Sequence, residues 1–322
     1  MGWRTILWGA LIVGPCLAAD GPLDVPAPFH QAFEQIHQGQ YQPALAASRD
    51  LEKNFPSHPL ANLLAAEAYW GLIYCETGRI NARQVWYLAD RKTSRWDAEF
   101  FRAVDRTLEA SRPLRSNPQT TAVGAFYSGL ARGVRSRLYA LRTQSLKSAS
   151  EAKQMRADLL EAVAKNPQLA PDASLGLGAY NYYADALSPL LKLVRFFLRI
   201  PGGDRARGLE QLRIASQQVA LLATEAQFEL GRIYGIQESN HTESLQFFQS
   251  LAERYPENAL YALSAAYQAE AAGNKNLAIE LAQKASEAAG KMDGACRERL
   301  GEATRGAVER LQAAGGRESA TR

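Results

Sequence analysis

The sequence predicts an all-α fold, an irregular array of stacked helical hairpins (an α-solenoid) with lengthened central helices. Among 322 residues there are 55 alanines and 40 leucines, whereas valine, isoleucine and threonine together number only 31. Alanine and leucine are strong helix formers, and β-branched residues are those that favour strands. A hydrophobic content of 47% fits a globular chain, so we expect neither a sheet-based fold nor global disorder.

The first helical hairpin is predicted directly after a proline-containing lead-in. From Phe29 onward, apolar residues recur at the three- and four-residue spacing of a helix. The segment from Gly39 to Ala44 interrupts this spacing with a short turn, and a second helical pattern follows it. That pattern ends at Pro56, because proline cannot continue a helix.

The same order of helix, turn and helix returns in two later segments. Gly273 and Ala278 repeat the five-residue spacing of the first turn, and the alanine again falls where a second helix begins. Residues 225–234 carry the pattern Leu-Gly-x-x-Tyr, and the helix predicted over 243–255 ends at Pro256. We expect the alanines at these positions to lie where two helices approach closely.

The middle of the chain departs from a regular repeat. Proline stops at Pro56, Pro118, Pro167 and Pro256 are unevenly spaced. Residues 122–146 contain no proline and predict one helix of about six or seven turns, with residues 148–165 as its partner.

These hairpins resemble the tetratricopeptide repeat, a pair of antiparallel helices about 34 residues long. The resemblance implies a stacked array with an extended concave surface that holds a peptide or a helix of a partner protein. On that geometry, the predicted partner-binding residues are Phe33, Phe228, Arg232, Leu263 and Tyr267 on first helices, with Arg132 and Arg135 on the long central helix.

A central stretch is similar to a more specific family. Residues 175–189 contain a Gly-x-Gly-x-aromatic-Asn helix followed by Leu-Ser-Pro, and a Gly-Asp-Arg turn then precedes Gly-Leu-x-x-Leu. This stretch resembles the core of the tetratricopeptide repeat protein 39 family and the related fungal inclusion-body clearance proteins. The resemblance implies an interaction scaffold without catalytic residues. Physically, we expect Gly176 and Gly178 to permit close packing, and Asp204 to cap a helix that begins at Arg205.

The N-terminus predicts export. Arg4 precedes an apolar run and small residues, the composition of a cleavable signal peptide, and the run is shorter than the ~20 residues that span a bilayer. We expect a signal peptide over residues 1–19, a lead-in over 20–28, the repeat array over 29–314 and a flexible tail over 315–322. The alternative is a retained N-terminal anchor. No later stretch predicts a membrane span, so the mature chain is expected to be periplasmic or secreted.

Cysteine usage leaves one question open. Only Cys75 and Cys296 remain after the predicted cleavage, which is too few for a zinc site. Either they form a bridge in an oxidising compartment, or they are buried thiols.

Charge is distributed unevenly along the chain. The net charge is +4, but residues 79–156 hold 16 basic and 6 acidic side chains, interleaved with aromatic residues such as Trp86 and Tyr139. This block is either a solvated face over an aromatic core or a basic surface that binds an anionic envelope or membrane. The helix predicted over residues 190–200, with basic residues along one side, has the same two interpretations. Export argues against nucleic acid as a partner.

No pattern of catalytic residues is present. The four histidines form no metal-binding pair, and no nucleophile elbow or phosphate-binding loop occurs. Asp97 and Glu99, two residues apart on a predicted helix, do not face one another. We expect no enzymatic activity, cofactor, metal or small-molecule substrate. The predicted function is an exported protein–protein interaction scaffold; the alternative is a peripheral membrane or envelope-assembly module.

Overall fold

Helices make up most of the chain that the computed structural model describes, namely residue 23 and residues 25–77, 92–187, 199–218 and 221–319, with side chains to residue 313. Within these ranges there are thirteen α-helices and no strand, so the prediction of an all-α fold is confirmed. In chain order they are α1 (Ala27–His37), α2 (Tyr41–Asn54), α3 (Leu60–Thr77), α4 (Asp97–Ser116), α5 (Thr121–Leu141), α6 (Ser145–Lys165), α7 (Ala170–Asp185), α8 (Arg205–Gln218), α9 (Ala223–Arg232), α10 (His241–Arg254), α11 (Ala259–Ala271), α12 (Lys275–Lys291) and α13 (Gly294–Ser319).

The first and last predicted hairpins are both present. Gly39 between α1 and α2 has φ 79°, and Gly273 between α11 and α12 has φ 82°. Glycine enters this left-handed region without a steric cost, which explains the shared turn. Ala44 and Ala278 are fully buried near the starts of the second helices. The small side chains therefore lie at close helix contacts, as predicted.

The third predicted hairpin is formed by α9 and α10. A π-helical turn over Ile233–Gln237 follows α9, so the first helix of this hairpin does not continue as a regular α-helix. Asn240 begins α10 as its N-cap and accepts a hydrogen bond from the backbone N–H of Glu243 at 3.2 Å. The helix ends just before Pro256, in agreement with the predicted stop.

The long central helix is shorter than predicted. The sequence predicted one helix over residues 122–146, but α5 ends at Leu141 and α6 begins after a three-residue break. In this break Thr143 has φ 58°. The neighbouring Arg142 is buried, and its guanidinium donates to Asp97 at 2.7 Å. This anchor on α4 is a long-range contact, which a local pattern does not reveal.

Glycines allow α7 and α8 to approach closely. A Cβ atom on Gly178 would lie 2.9 Å from the main-chain oxygen of Gly208, so a larger residue would separate the helices. The close packing predicted for this motif is confirmed. Asp204 accepts a hydrogen bond from the backbone N–H of Arg207 at 3.0 Å and caps α8, also as predicted.

The two ends of the array pack together, so the array is closed where an open concave surface was expected. Tyr41 and Tyr74, on α2 and α3, are buried in the same apolar cluster as residues of α10 to α13. Cys75 and Cys296 form a disulfide with a Cα–Cα distance of 4.7 Å. Of the two alternatives for these cysteines, a bridge and buried thiols, the structure contains the bridge.

Polar contacts follow the same boundary between α1–α3 and α10–α13, which we call the closure seam. Across the seam, Asn258 Nδ2 donates to the main-chain oxygen of His37 at 2.8 Å, Gln40 Nε2 to Glu257 Oε2 at 2.8 Å, Arg299 Nη2 to the main-chain oxygen of Glu76 at 2.8 Å, and Arg254 Nη2 to Glu34 Oε1 at 3.1 Å. The seam therefore combines apolar burial, hydrogen bonds and one covalent bond.

Candidate functional site

Charged and aromatic side chains line one face of α3 and one face of α9 in the interior of the closed array. These are Glu67, Trp70 and Tyr74 on α3, and Glu225, Glu229 and Arg232 on α9. Spacings of three and four residues place each set on one side of its helix. The two faces act on each other, because burial and then Glu67 raise the pKa of Glu225, while Arg232 opposes the rise that burial imposes on the pKa of Tyr74. With Arg137 of α5 and Tyr183 of α7, we call these residues the inner polar face.

Arg137 forms one half of this face. Its guanidinium is ion-paired with Glu67, and its Cζ lies 5.2 Å from the centroid of the Trp70 ring. The side chain of Arg137 is 39% exposed and that of Glu67 is 15% exposed, so solvent reaches the pair. A guanidinium held on an indole ring presents both N–H donors and an aromatic edge to a polar ligand.

Arg232 forms the other half. Its Nη1 donates to Glu229 Oε2 at 3.1 Å, and its Nη2 donates to the hydroxyl of Tyr183 at 3.4 Å. Both charged side chains are 15% exposed. Arg232 is the one residue of the predicted partner-binding set that belongs to the inner polar face.

Glu225 contacts a histidine, whereas Glu67 and Glu229, the other acids of the face, pair with arginines. Its Oε1 lies 3.4 Å from Nε2 of His37, which contributes the contact from α1. The second carboxyl oxygen, Oε2, is buried and has no hydrogen-bond partner among the described residues. Because Glu225 touches α1 while the rest of its face points toward α3 and α7, it links the inner polar face to the closure seam.

Burial keeps both members of this contact uncharged near neutral pH. Burial, reinforced by Glu67, raises the pKa of Glu225 to about 8. Burial, reinforced by Arg254, lowers the pKa of His37 to about 3. The contact is therefore one between a neutral carboxyl group and a neutral imidazole, and it is not an ion pair.

Three of the predicted partner-binding residues lie in the core. Phe33 is 4% exposed, Leu263 is fully buried and Tyr267 is 6% exposed. Leu263 and Tyr267 belong to the apolar cluster that the closure completes, and Phe228 packs partly buried against Phe248 of the same cluster. Phe33, Leu263 and Tyr267 therefore contribute to the packing of the closed array.

Arg132 and Arg135, also predicted to bind a partner, are held between helices. Arg132 Nε donates to Asp158 at 2.9 Å, and Arg135 donates to Asp105 and to Glu151 at 3.0 Å each. Their side chains are 22% and 15% exposed. These contacts join α4, α5 and α6, so the two arginines stabilise the packing of the central helices.

Carboxylates neutralise much of the described part of the basic block. Arg106 pairs with Glu52, Arg115 with Asp158 and Glu161, Arg137 with Glu67, and Arg142 with Asp97. The rings of Phe100, Phe126 and Tyr127 are fully buried. Residues 78–91, with Trp86 and Tyr87, lie outside the described residues, as do residues 188–198, which hold most of the predicted amphipathic helix.

Sequence reasoning selected Arg232 and missed the rest of the inner polar face. The useful signal was the three- and four-residue spacing of Glu67, Trp70 and Tyr74 within an otherwise apolar helix. Repeat geometry does not select these residues, because it assigns binding residues to the concave side of an open array. In the closed array the concave side contains both exposed and core residues, so a position on that side does not by itself indicate an exposed residue.

Across the part of the chain that the structure describes, no helix has the length and apolar character needed to cross a membrane. In the same residues, no three acidic, histidine or cysteine side chains are grouped to hold a metal ion. Comparison with models of known protein families and with curated proteins finds no match to this chain. The inner polar face is therefore interpreted from its own chemistry.

Proposed function

We propose that this chain is an exported, non-catalytic scaffold of the tetratricopeptide-repeat type, which binds a protein or peptide partner on its inner polar face. The observation that carries the proposal is the set of fixed guanidiniums, carboxylates and aromatic rings that stay partly open inside a closed helical array. Side chains that are already held in place lose little conformational freedom on binding. Such a surface suits a polar peptide segment that offers both charges and carbonyl groups.

Two features support export. Residues 1–19 have the composition of a cleavable signal peptide, and the Cys75–Cys296 disulfide is of the kind that persists in oxidising compartments. We expect the protein recovered from the envelope or medium to begin at Ala19 or Asp20. Intact-mass measurement tests this, and a mass that includes Met1 to Ala18 would contradict cleavage.

The repeat assignment is supported by the packing of small residues. Ala66, Ala266 and Ala285 are fully buried within helix contacts, as are the alanines at the starts of α2 and α12. Glycine turns with nearly equal φ angles join the first and last hairpins. These are the positions where the tetratricopeptide pattern requires small residues and a tight turn.

Site-specific photocrosslinking tests the binding surface. A benzophenone amino acid replaces Trp70 on the inner polar face, and in a second variant it replaces Leu146, which is 68% exposed on α6. The control position is therefore more accessible than the test position. After irradiation in the native envelope, we expect a discrete crosslinked product from position 70 that is absent from position 146.

A second substitution ties the product to the chemistry of the face. Arg137→Ala removes the guanidinium above Trp70, and we expect it to reduce the crosslink from position 70. Arg106→Ala is the matched control, because Arg106 pairs with Glu52 elsewhere on the surface. Equal crosslinking from both probe positions, or from Leu146 alone, would refute binding at the inner polar face.

The alternative, a membrane or envelope-assembly module with a basic aromatic face, has less support. In the described residues, most arginines of the block are paired with carboxylates and several of its aromatic rings are buried. Flotation of the mature chain with anionic vesicles distinguishes the two proposals. Salt-sensitive flotation would favour the membrane module over the scaffold.

A further inference from the structure

Three carboxylates close to the contact between Glu225 and His37 each have a guanidinium partner. Glu34 pairs with Arg254, Glu67 with Arg137, and Glu229 with Arg232. Glu225 is the fourth acid of this group, and within the described residues its ion-pair distance is to His37 alone. The side chain of Glu225 is 20% exposed and its Oε2 atom is buried, so an ionised Glu225 would be a mostly buried charge without a cation of its own, which is costly.

His37 connects Glu225 to the closure seam. The main-chain oxygen of His37 accepts from Asn258 Nδ2 at 2.8 Å, and its ring lies 5.3 Å from the ring of Tyr255. The same ring contacts Glu225 through Nε2. A change in the charge of Glu225 therefore acts on His37. This residue of α1 contacts both α9 and the start of α11.

We propose that Glu225 is a proton-operated latch: in its protonated form it holds α1 against α9 through His37, and loss of its proton to solvent weakens the closure seam. The charged and titratable groups that face it are His37 and Glu34 from α1, Glu67 from α3, Arg137 from α5, and Tyr261 from α11. Arg137 is the one cation of this set, and it is already paired with Glu67. Deprotonation therefore places a third negative charge beside Glu34 and Glu67.

The pH range follows from the pKa of Glu225. In the closed array the carboxyl keeps its proton up to about pH 8, because burial and Glu67 raise its pKa from 4.5. Once the seam opens, the carboxyl is free to ionise near its ordinary value. The opening constant of the seam therefore rises with pH until Glu225 is ionised in the closed array as well, and it is constant at higher pH. From these two values, the opening constant of the seam should rise about tenfold between pH 7 and pH 9 and then stay level.

Hydrogen exchange of the full mature chain with its disulfide intact tests the latch. Deuterium uptake is followed by mass spectrometry at pH 7, 8, 9 and 10 and corrected for the intrinsic pH dependence of exchange. The test amides are those of α1, which belongs to the closure seam, and those of α9, which carries Glu225. Amides of the α5–α6 hairpin are the internal reference. We expect the corrected exchange of α1 and α9 to rise about tenfold to pH 9 and to level off by pH 10, while the reference stays constant.

Two variants distinguish the effect of Glu225 ionisation from a general destabilisation of the fold at high pH. Glu225→Gln keeps the size of the side chain and cannot ionise, so we expect corrected exchange at the seam to become independent of pH. Glu229→Gln, one turn further along the same face, removes an acid that is paired with Arg232 and should leave the wild-type profile in place. If the seam of the wild type shows no rise, if the rise continues through pH 10, or if Glu225→Gln keeps it, the latch is refuted. The readout is exchange at α1 and not partner capture, so the latch can fail without affecting the proposed function.

Discussion

The side chain of Asn258 bonds to the main chain of His37, 221 residues away, with a distance of 2.8 Å between Nδ2 and the main-chain oxygen. The same side chain accepts a hydrogen bond from the backbone N–H of Leu260 at 3.1 Å and so caps α11. The buried side-chain amide of Asn258 therefore caps α11 through its oxygen and bonds across the closure seam through its nitrogen. An aspartate at this position retains the acceptor and loses the donor.

Asn258→Asp should keep the cap of α11 and remove the hydrogen bond across the closure seam. The variant leaves the His37 main-chain oxygen without a donor and opposes it with a carboxylate, so we expect a loss of about 1–3 kcal/mol in the free energy of unfolding. Asn274→Asp is the matched control, because the exposed Asn274 side chain also caps a helix, α12, and does so by accepting from the backbone N–H of Leu277. Urea unfolding of both variants measures the difference. Equal stability of the two would show that the bond to His37 does not stabilise the fold.

Removal of the disulfide should destabilise the chain without changing its helix content. The Cys75–Cys296 bridge closes a very long loop, and we expect its loss to cost about 2–5 kcal/mol. Urea unfolding of a variant with both cysteines replaced by serine, compared with the wild type, gives this value. Two free thiols titrated in the denatured, unreduced wild-type protein would show instead that the bridge is absent.

The buried alanines should not tolerate enlargement. Ala266→Leu and Ala278→Leu each add three carbon atoms at a fully buried helix contact, and we expect overpacking to destabilise by about 1–3 kcal/mol. Ala157→Leu, at an exposed position of α6, is the control and should be nearly neutral. Thermal melts compare the three variants. If the two buried substitutions behave like the exposed one, the assigned helix register is wrong.

Two helical glycines should respond in opposite directions to replacement by alanine. A Cβ atom on Gly178 would meet the Gly208 oxygen at 2.9 Å, whereas a Cβ atom on Gly290 would meet nothing within 4 Å. Gly290→Ala should stabilise the chain by about 0.5–1 kcal/mol, because alanine favours a helix more than glycine does. Gly178→Ala should destabilise it, since the gain in propensity is smaller than the cost of separating α7 and α8. Stabilisation by both substitutions would mean that these helices have room to move apart.

The acid side of the stability profile should depend on His37. Its pKa is about 3 in the folded chain and 6.5 without burial, so its contribution is fully present above pH 6.5 and is lost as pH falls toward 3. Relative to the wild type, His37→Gln should gain about 2 kcal/mol in total between pH 6.5 and pH 4.5. His30→Gln, on the exposed side of α1, is the control. Urea midpoints across this range provide the measurement, and parallel profiles for all three proteins would rule out a buried neutral His37.

Local features of the fold could be predicted from the sequence, because each has a short-range cause. Gly39 and Gly273 mark turns that need a left-handed residue, and Asp204 and Pro256 mark a helix start and a helix stop. Arg142 shows the limit of that approach, because it ends α5 by reaching Asp97 on another helix.

The closure and most of the candidate site could not be predicted in this way. Asn258 and His37, like the two bridged cysteines, are separated by 221 residues, and no local periodicity relates them. Repeat geometry predicts Leu263 on a binding surface, because an open array exposes that side of its helix. In the closed array the same side faces the apolar cluster, and the residue is fully buried.

The disulfide has a consequence for a chain that is exposed to proteases. Because Cys75 and Cys296 join the two ends of the array, the backbone between them forms a covalent ring. A single cut anywhere in this ring leaves one molecule, whose two fragments part only after reduction. A nicked array can therefore keep its hairpins in register and remain assembled, so that damage to one connection does not release half of the protein.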